Sequence, residues 1–283
     1  MKFITIENSV LSENTYLVWN ENTLRGFLID PGSDGKKIEK AAAERNIKIE
    51  AVFLTHGHFD HALSAKYFQE RGAKVYVHAE DADKLTSGTA IDRFFGVKFP
   101  TFFADVTFET DNNILKFNEI NSKTNRNKTS EIRAADSKTD GDKTSEIRAA
   151  DSKTGGNKTS EIQGADSKTD GDNILNSGGN VPRIEKDNTV EFQGMRFKII
   201  HTPGHSKGGV CYFFEDEGAL FSGDTLFSGD IGRSDFVDGD FFELKNSIIS
   251  KLFALPDGTA VYPGHEEATE IGKERNNKRL FGE

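Results

Sequence analysis

The stretch FLTHGHFDHA, residues 53–62, puts three histidines and an aspartate into six consecutive positions, His56 to His61, directly behind an apolar run. Titratable side chains at the exit of a buried strand are costly to desolvate unless they are paired or bind something. The segment before them, IEAVFLT (49–55), reads as a buried strand. The segment after them, ALSAKYFQERG (62–72), reads as a helix closed by Gly72. The cluster therefore sits on a strand-to-helix turn.

The other histidines repeat this placement. His205 follows the apolar strand 196–200 after a Thr-Pro-Gly turn, His265 follows AVYPG, and Asp224 follows ALFSG. Gly and Pro before each of them mark sharp turns at strand exits. If those exits share one rim, imidazoles and carboxylates converge, and these are the natural ligands of a borderline divalent ion. In an extended segment His56 and His58 point the same way and offer two nitrogens to one metal. Asp60 and His61 lie beyond, where the chain enters a helix, and can turn to a second metal, with a carboxylate such as Asp224 bridging both. Two metals about 3.5–4 Å apart clamp a water between them and lower its pKa. His78 ends VYVH and His201 ends a strand; neither is expected to be a ligand. Asp30, in the turn IDPG, is a candidate to orient a ligand histidine.

Around these turns the chain alternates strands and helices. LRGFLIDPG and AKVYVHA read as strands and GKKIEKAAAERN as a helix. TVEFQGMRFKII reads as a hairpin turning at Gln193-Gly194, GVCYFFED with GALFSGD as a second hairpin, and GTAVYPGH as a final strand. Strands and helices in both halves predict an α/β fold of two half-domains, each a sheet with helices on one side.

A repeat interrupts this pattern. KTSEIRAADSKTDGD (128–142) recurs as KTSEIRAADSKTGGN (143–157) and KTSEIQGADSKTDGD (158–172). One isoleucine per unit (Ile132, Ile147, Ile162) buries too little surface to offset the entropy of ordering the unit. Residues 118–180 are expected to form a low-complexity, disordered insertion between a first part of the domain, 1–117, and a second part, 181–283. Long surface insertions cost little in closure entropy.

Composition narrows the function. The formal charge is −10, from 36 basic and 46 acidic residues, and no basic run is present, which argues against nucleic acid and anionic membrane as partners. No apolar run approaches the length of a membrane span or a signal-peptide core, so a cytoplasmic protein is expected. The single cysteine, Cys211, lies in the apolar run GGVCYFF and reads as a buried structural thiol. GHSKG (204–208) matches the G-x-S-x-G elbow of serine hydrolases, but that elbow leads into a helix. Here KGGVCYFF, a strand pattern, follows Ser206, which argues against a nucleophilic serine.

The motifs THGHFDH, HTPGHSKGG, FSGDTLFSGDIGRSDF and VYPGHE, in this order, resemble the metallo-β-lactamase superfamily, and within it the hydroxyacylglutathione hydrolase (glyoxalase II) branch and its short, single-domain relatives. The resemblance covers 1–117 and 181–283. It implies an αββα sandwich with metals in a cleft at one edge of two sheets. It also implies that His56, His58 and His205 hold one metal, that Asp60, His61 and His265 hold a second, and that Asp224 bridges. Two divalent ions are implied, with zinc the first choice; iron and manganese accept the same donors. The implied activity is hydrolysis of a small-molecule thioester of the glutathione type by a metal-bridging hydroxide, with Asp60 orienting the water or taking its proton. Arg233, in IGRSDF, stands where that family places a basic residue near the thiol substrate. Only residues 266–283 follow His265, so the helical glutathione-binding domain of full-length glyoxalase II is expected to be absent. The Gly-Arg-Ser-Asp-Phe run also resembles persulfide dioxygenases, which bind one iron, and that activity is the alternative, along with hydrolysis of another ester or lactone. A non-catalytic protein whose repeat recruits a partner is the third reading, and the full ligand set argues against it.

Overall fold

The computed structural model describes residues 1–111, 114–120, 181–185, 189–277 and 280–281. Two seven-stranded sheets face each other, and in each the spatial order of strands follows the sequence. The first contains β1 (Lys2–Glu7), β2 (Asn14–Asn20), β3 (Arg25–Ile29), β4 (Lys48–Phe53), β5 (Lys74–His78), β6 (Val106–Asp111) and β7 (Ile114–Glu119). Strands β1 to β3 form an antiparallel meander, β3 to β6 run parallel, and β7 returns antiparallel. Parallel neighbours need crossovers. These are supplied by α1 (Gly35–Ala43), α2 (Phe59–Ala62) with α3 (Ala65–Gln69), and α4 (Ala82–Ser87) with α5 (Ala90–Phe94).

The second sheet contains β8 (Arg183–Ile184), β9 (Thr189–Phe192), β10 (Met195–His201), β11 (Val210–Phe214), β12 (Ala219–Gly223), β13 (Ala260–Pro263) and β14 (Thr269–Glu270). Only β12 and β13 pair parallel, joined through α6 (Phe241–Ser247), and α7 (Ile271–Arg275) follows β14. The Asp240 side chain caps α6 by accepting from the backbone N–H of Phe242 and Glu243.

Alternation along the strands builds three apolar layers. Ala51 and Phe53 of β4 point between the sheets, whereas Val52 and Leu54 point to the helices outside. Tyr212 and Phe214 of β11 face the inter-sheet core, and Cys211 and Phe213 face α6. Strands covered on both faces must be apolar throughout, which is why GVCYFF and AVFLT read as continuous runs. The expected αββα sandwich is the observed architecture.

Strand direction brings the polar turns together. Strands β3, β4 and β5 are parallel, so Asp30, His56 and the turn after His78 lie at one end of the first sheet. In the second sheet β10, β12 and β13 share one direction, which puts the segments carrying His205, Asp224 and His265 at one end. Three local expectations are adjusted. The helix expected over 62–72 is broken into α2 and α3, because the Ser64 amide bonds back to the Pro31 carbonyl at 3.0 Å. Strand β13 is followed by the short β14. Strand β7 extends to Glu119, so the interruption begins later than residue 118; the repeats themselves, within 121–180, lie outside the described residues. Among the described residues no helix is long and apolar enough to cross a membrane.

Candidate metal centre

Four of the five imidazoles at the rim are held through Nδ1 and present Nε2; His58 instead turns Nδ1 toward His205, and its buried Nε2 has no hydrogen-bond partner among the described residues. His56 Nδ1 lies 3.0 Å from Thr55 Oγ1. His61 Nδ1 donates to Asp30 Oδ2 at 2.9 Å, His205 Nδ1 to the Arg233 carbonyl at 2.6 Å, and His265 Nδ1 to the Leu11 carbonyl at 3.1 Å. Such bonds fix ring orientation and tautomer. Asp30 is itself pinned, its Oδ1 accepting the Thr55 amide at 2.7 Å and its Oδ2 the Thr55 hydroxyl at 2.6 Å. The expected orienting role of Asp30 thus has a direct geometric basis.

The presented atoms form two adjoining groups. His205 Nε2 is 2.9 Å from His58 Nδ1 and 3.2 Å from His56 Nε2. His265 Nε2 is 3.3 Å from Asp60 Oδ2, and His61 Nε2 is 3.8 Å from the same oxygen. Asp224 stands between the groups: its Oδ1 is 3.3 Å from His61 Nε2, and its Oδ2 is 3.5 Å from His205 Nε2 and 3.7 Å from His265 Nε2. Helix α2 explains how one short motif serves both groups. His58 is still extended as the residue before the helix, whereas Asp60 and His61 are in its first turn and are rotated away.

The two groups differ electrostatically. Burial pushes His56 well below its ordinary value, helped by the neighbouring His61. Burial, and then His205, brings His58 down to about 4. Both rings are therefore neutral near pH 7, with lone pairs available. His61 is also buried, but Asp224, Asp60 and Asp30 outweigh that and raise it well above the ordinary value. His265 is raised as well, against burial, by Asp60 and Asp224. Burial opposes ionisation of Asp224, yet His61, His205 and His265 hold its carboxyl far below the usual range. His56 and His58 thus offer neutral nitrogens in one half of the centre, and the other half is acid-rich and attracts positive charge.

These residues suit divalent ions. Facing ring nitrogens 2.9–3.2 Å apart call for a proton or a cation between them, and tetrahedral zinc–nitrogen bonds of about 2.0–2.1 Å set ligand nitrogens about 3.3 Å apart. His61 Nε2 and Asp224 Oδ1 are buried without a well-formed hydrogen bond. Gly264 leaves this space open: a Cβ there would lie 2.5 Å from both Asp224 Oδ1 and His61 Cε1. His56, His58 and His205 form one group able to hold an ion, and Asp60, His61 and His265 another.

The remaining candidates sit elsewhere. Arg233 contributes its carbonyl to His205, but its guanidinium is exposed and bonds Asp235 through two contacts of 3.0 Å. His78 is buried and stacks on His201 at 4.4 Å. The Ser206 hydroxyl donates to Asp81 at 2.9 Å and precedes strand β11, so it lacks the surroundings of a nucleophile. Burial pushes the Cys211 thiol up to about 11.

Several residues at the centre were not anticipated. The Phe236 ring packs edge-on against His58 and His205, with centroids 5.4 and 5.7 Å away. Asn14 and Tyr16 bond the Pro263 carbonyl at 3.2 and 2.6 Å and anchor the turn that presents His265. Glu13 is buried 3.9 Å from His61 Nδ1, and burial raises its carboxyl well above the usual range. Asp81, just after β5, is preceded by no Gly or Pro turn, and Asn14 and Tyr16 lie on a strand whose sequence gives no such mark either.

A model of the metallo-β-lactamase superfamily matches residues 8–265. A probable metallo-hydrolase of Streptococcus pyogenes is 25% identical over 99% of this chain and 90% of its own length. Hydroxyacylglutathione hydrolase GloC of Haemophilus influenzae is 22% identical over 98% of this chain and 96% of its own. Among solved structures, the BLEG-1 B3 metallo-β-lactamase is 24% identical and shares the fold with a TM-score of 0.66 over 99% of both chains. With the two-sheet sandwich and its rim of histidines and aspartates, the family match shows that this chain belongs to the metallo-β-lactamase superfamily.

Proposed function

We propose that the chain is a dinuclear metal-dependent hydrolase of small thioesters of the glutathione type. The observation that carries the reading is the pair of adjoining ligand groups with Asp224 within 3.3–3.7 Å of His61, His205 and His265. The likeness to a hydroxyacylglutathione hydrolase along nearly the whole chain supports the substrate class.

In this reading His56, His58 and His205 hold one ion, Asp60, His61 and His265 hold the other, and Asp224 serves both; zinc suits this donor set. The chemistry that divalent ions supply in such a place is acidification of water and polarisation of a carbonyl oxygen. The chain's own residues do the rest. Asp30, the Arg233 carbonyl and the Leu11 carbonyl hold His61, His205 and His265 in one orientation. Asp60 offers a carboxylate oxygen to orient the attacking water and take its proton. The carbon–sulfur bond breaks, water's oxygen ends in the acid, and the thiolate leaves with little need for a proton. Phe236 provides an apolar wall beside His58 and His205. The role assigned to Arg233 in this reading is to meet a substrate carboxylate with an exposed guanidinium that it shares with Asp235.

The test is hydrolysis of S-lactoylglutathione by the protein before chelation, after chelation, and after zinc is returned. Activity that disappears and returns supports the reading. Activity indifferent to chelation, or metal-loaded protein without turnover, contradicts it.

A further inference from the structure

Asp81 touches none of the candidate ligand side chains, yet it binds the backbone of both segments that carry the nitrogen-rich group. It is fully buried in the turn after β5. One oxygen, Oδ2, accepts the Gly57 amide at 2.7 Å and the Ser206 hydroxyl at 2.9 Å. The other, Oδ1, accepts the Gly208 amide at 2.8 Å and the Lys84 ammonium at 2.6 Å. Gly57 lies between His56 and His58, and Ser206 directly follows His205. The backbones press on this residue: a Cβ at Gly57 would lie 2.7 Å from the Asp81 carbonyl oxygen, and one at Gly208 would lie 2.8 Å from Asp81 Cβ. Lys84 continues the connection to Asp238 at 2.7 Å, two residues beyond the Phe236 ring that leans on His58 and His205.

We propose that Asp81 is a positioning residue that clips the His56–His58 segment, from one sheet, to the His205 segment, from the other, and so sets the affinity and geometry of the metal held by these three histidines. The proposal rests on the metal-binding reading above. Its physical basis is preorganisation. The three nitrogens come from segments about 150 residues apart in sequence, and without a clip the ion itself must bear the cost of bringing them together. A carboxylate suits the position because all four partners are donors and both oxygens are used. An amide of the same shape turns an N–H toward two of those donors and leaves buried groups unsatisfied.

The test compares the full-length protein with its Asp81→Asn and Ser206→Ala variants, titrated with zinc against a chromophoric chelator and with cobalt(II) followed by its visible absorption. Asp92→Asn is the control, since Asp92 is also buried but its carboxylate accepts from the Thr89 amide and hydroxyl within its own segment. Partners behind metal ligands typically contribute about 10–100-fold to affinity. The expected result is a loss of that order at one site for Asp81→Asn with an altered cobalt spectrum, a smaller loss for Ser206→Ala, and wild-type affinity for Asp92→Asn. A purely structural role for Asp81 would lower the unfolding temperature while leaving the affinity and spectrum of the folded protein unchanged, and that result would overturn the proposal. If Asp81→Asn does not fold, Ser206→Ala decides: weaker binding supports the clip, and wild-type affinity with a wild-type spectrum overturns it. A wild-type chain that binds neither metal would remove the functional reading as well, whereas normal wild-type binding with unaffected variants would remove only the clip.

Discussion

Asp224 joins the two halves of the centre, and replacing it by asparagine changes one charge at nearly constant volume. Its oxygens lie 3.3–3.7 Å from ring nitrogens of His61, His205 and His265. Metal ions held by those nitrogens would have this carboxylate within about 4 Å. At an effective dielectric constant near 20, one unit charge at that distance is worth about 4 kcal/mol for each unit of charge on the cation. Desolvation and reorganisation return part of this, so about 4 kcal/mol for a divalent ion is a conservative figure, and it corresponds to about a thousandfold in affinity. Asp224→Asn is therefore expected to retain the fold, since Gly264 and the surrounding rings meet a side chain of the same shape, but to lose metal and thioester hydrolysis together. The assay is metal content after gel filtration, zinc affinity by chelator competition, and turnover of S-lactoylglutathione on one preparation, with circular dichroism to confirm folding. A folded variant with two tightly bound ions and wild-type turnover would refute the placement of Asp224 between the groups.

Four further outcomes follow from the structure. Phe236→Ala removes the apolar wall beside His58 and His205; it should raise KM several-fold with metal content unchanged, and loss of metal instead would make the ring a support for the ligands. Arg233→Ala should raise KM for a glutathione thioester more than for a thioester without carboxylates, because its guanidinium is shared with Asp235 rather than committed to the fold; equal effects on both would remove it from recognition. Phe53→Ala empties a buried site between the sheets, where Phe53 meets Phe27 and Tyr76, and should cost about 3–5 kcal/mol in denaturant unfolding. Burial raises the Cys211 thiol to about 11, so its protonated form dominates until pH approaches that value. A thiol reagent at pH 8 should label it only after unfolding, and rapid labelling of the native chain would contradict its burial.

How much of this could be read from the residues depends on the range of the interactions involved. The motif at 56–61 is local: strand, turn and helix start are encoded within a few residues, and in the structure His58 directly precedes α2 while Asp60 and His61 lie within it. His205, Asp224 and His265 were legible for the same reason, since each follows an apolar run and a Gly or Pro turn. That they share one rim is a property of strand direction, which pairing decides and no local pattern states. Asp81 illustrates what was hidden. It ends the run AED directly behind the buried strand VYVH, with no Gly or Pro turn to mark it, and its importance comes from Gly57, 24 positions away, and Gly208, 127 positions away. Asn14 and Tyr16 are similar, reaching Pro263 across the two sheets. The break between α2 and α3 escaped the apolar pattern because a single bond from Ser64 to Pro31 makes it.

The most direct test of the central claim is metal content by mass spectrometry on protein purified without chelator, with S-lactoylglutathione hydrolysis measured on the same sample. The account predicts about two divalent ions per chain and turnover that scales with their occupancy. About one iron per chain, no hydrolysis, and oxygen uptake with glutathione persulfide would contradict it and assign the same histidines to a mononuclear iron dioxygenase.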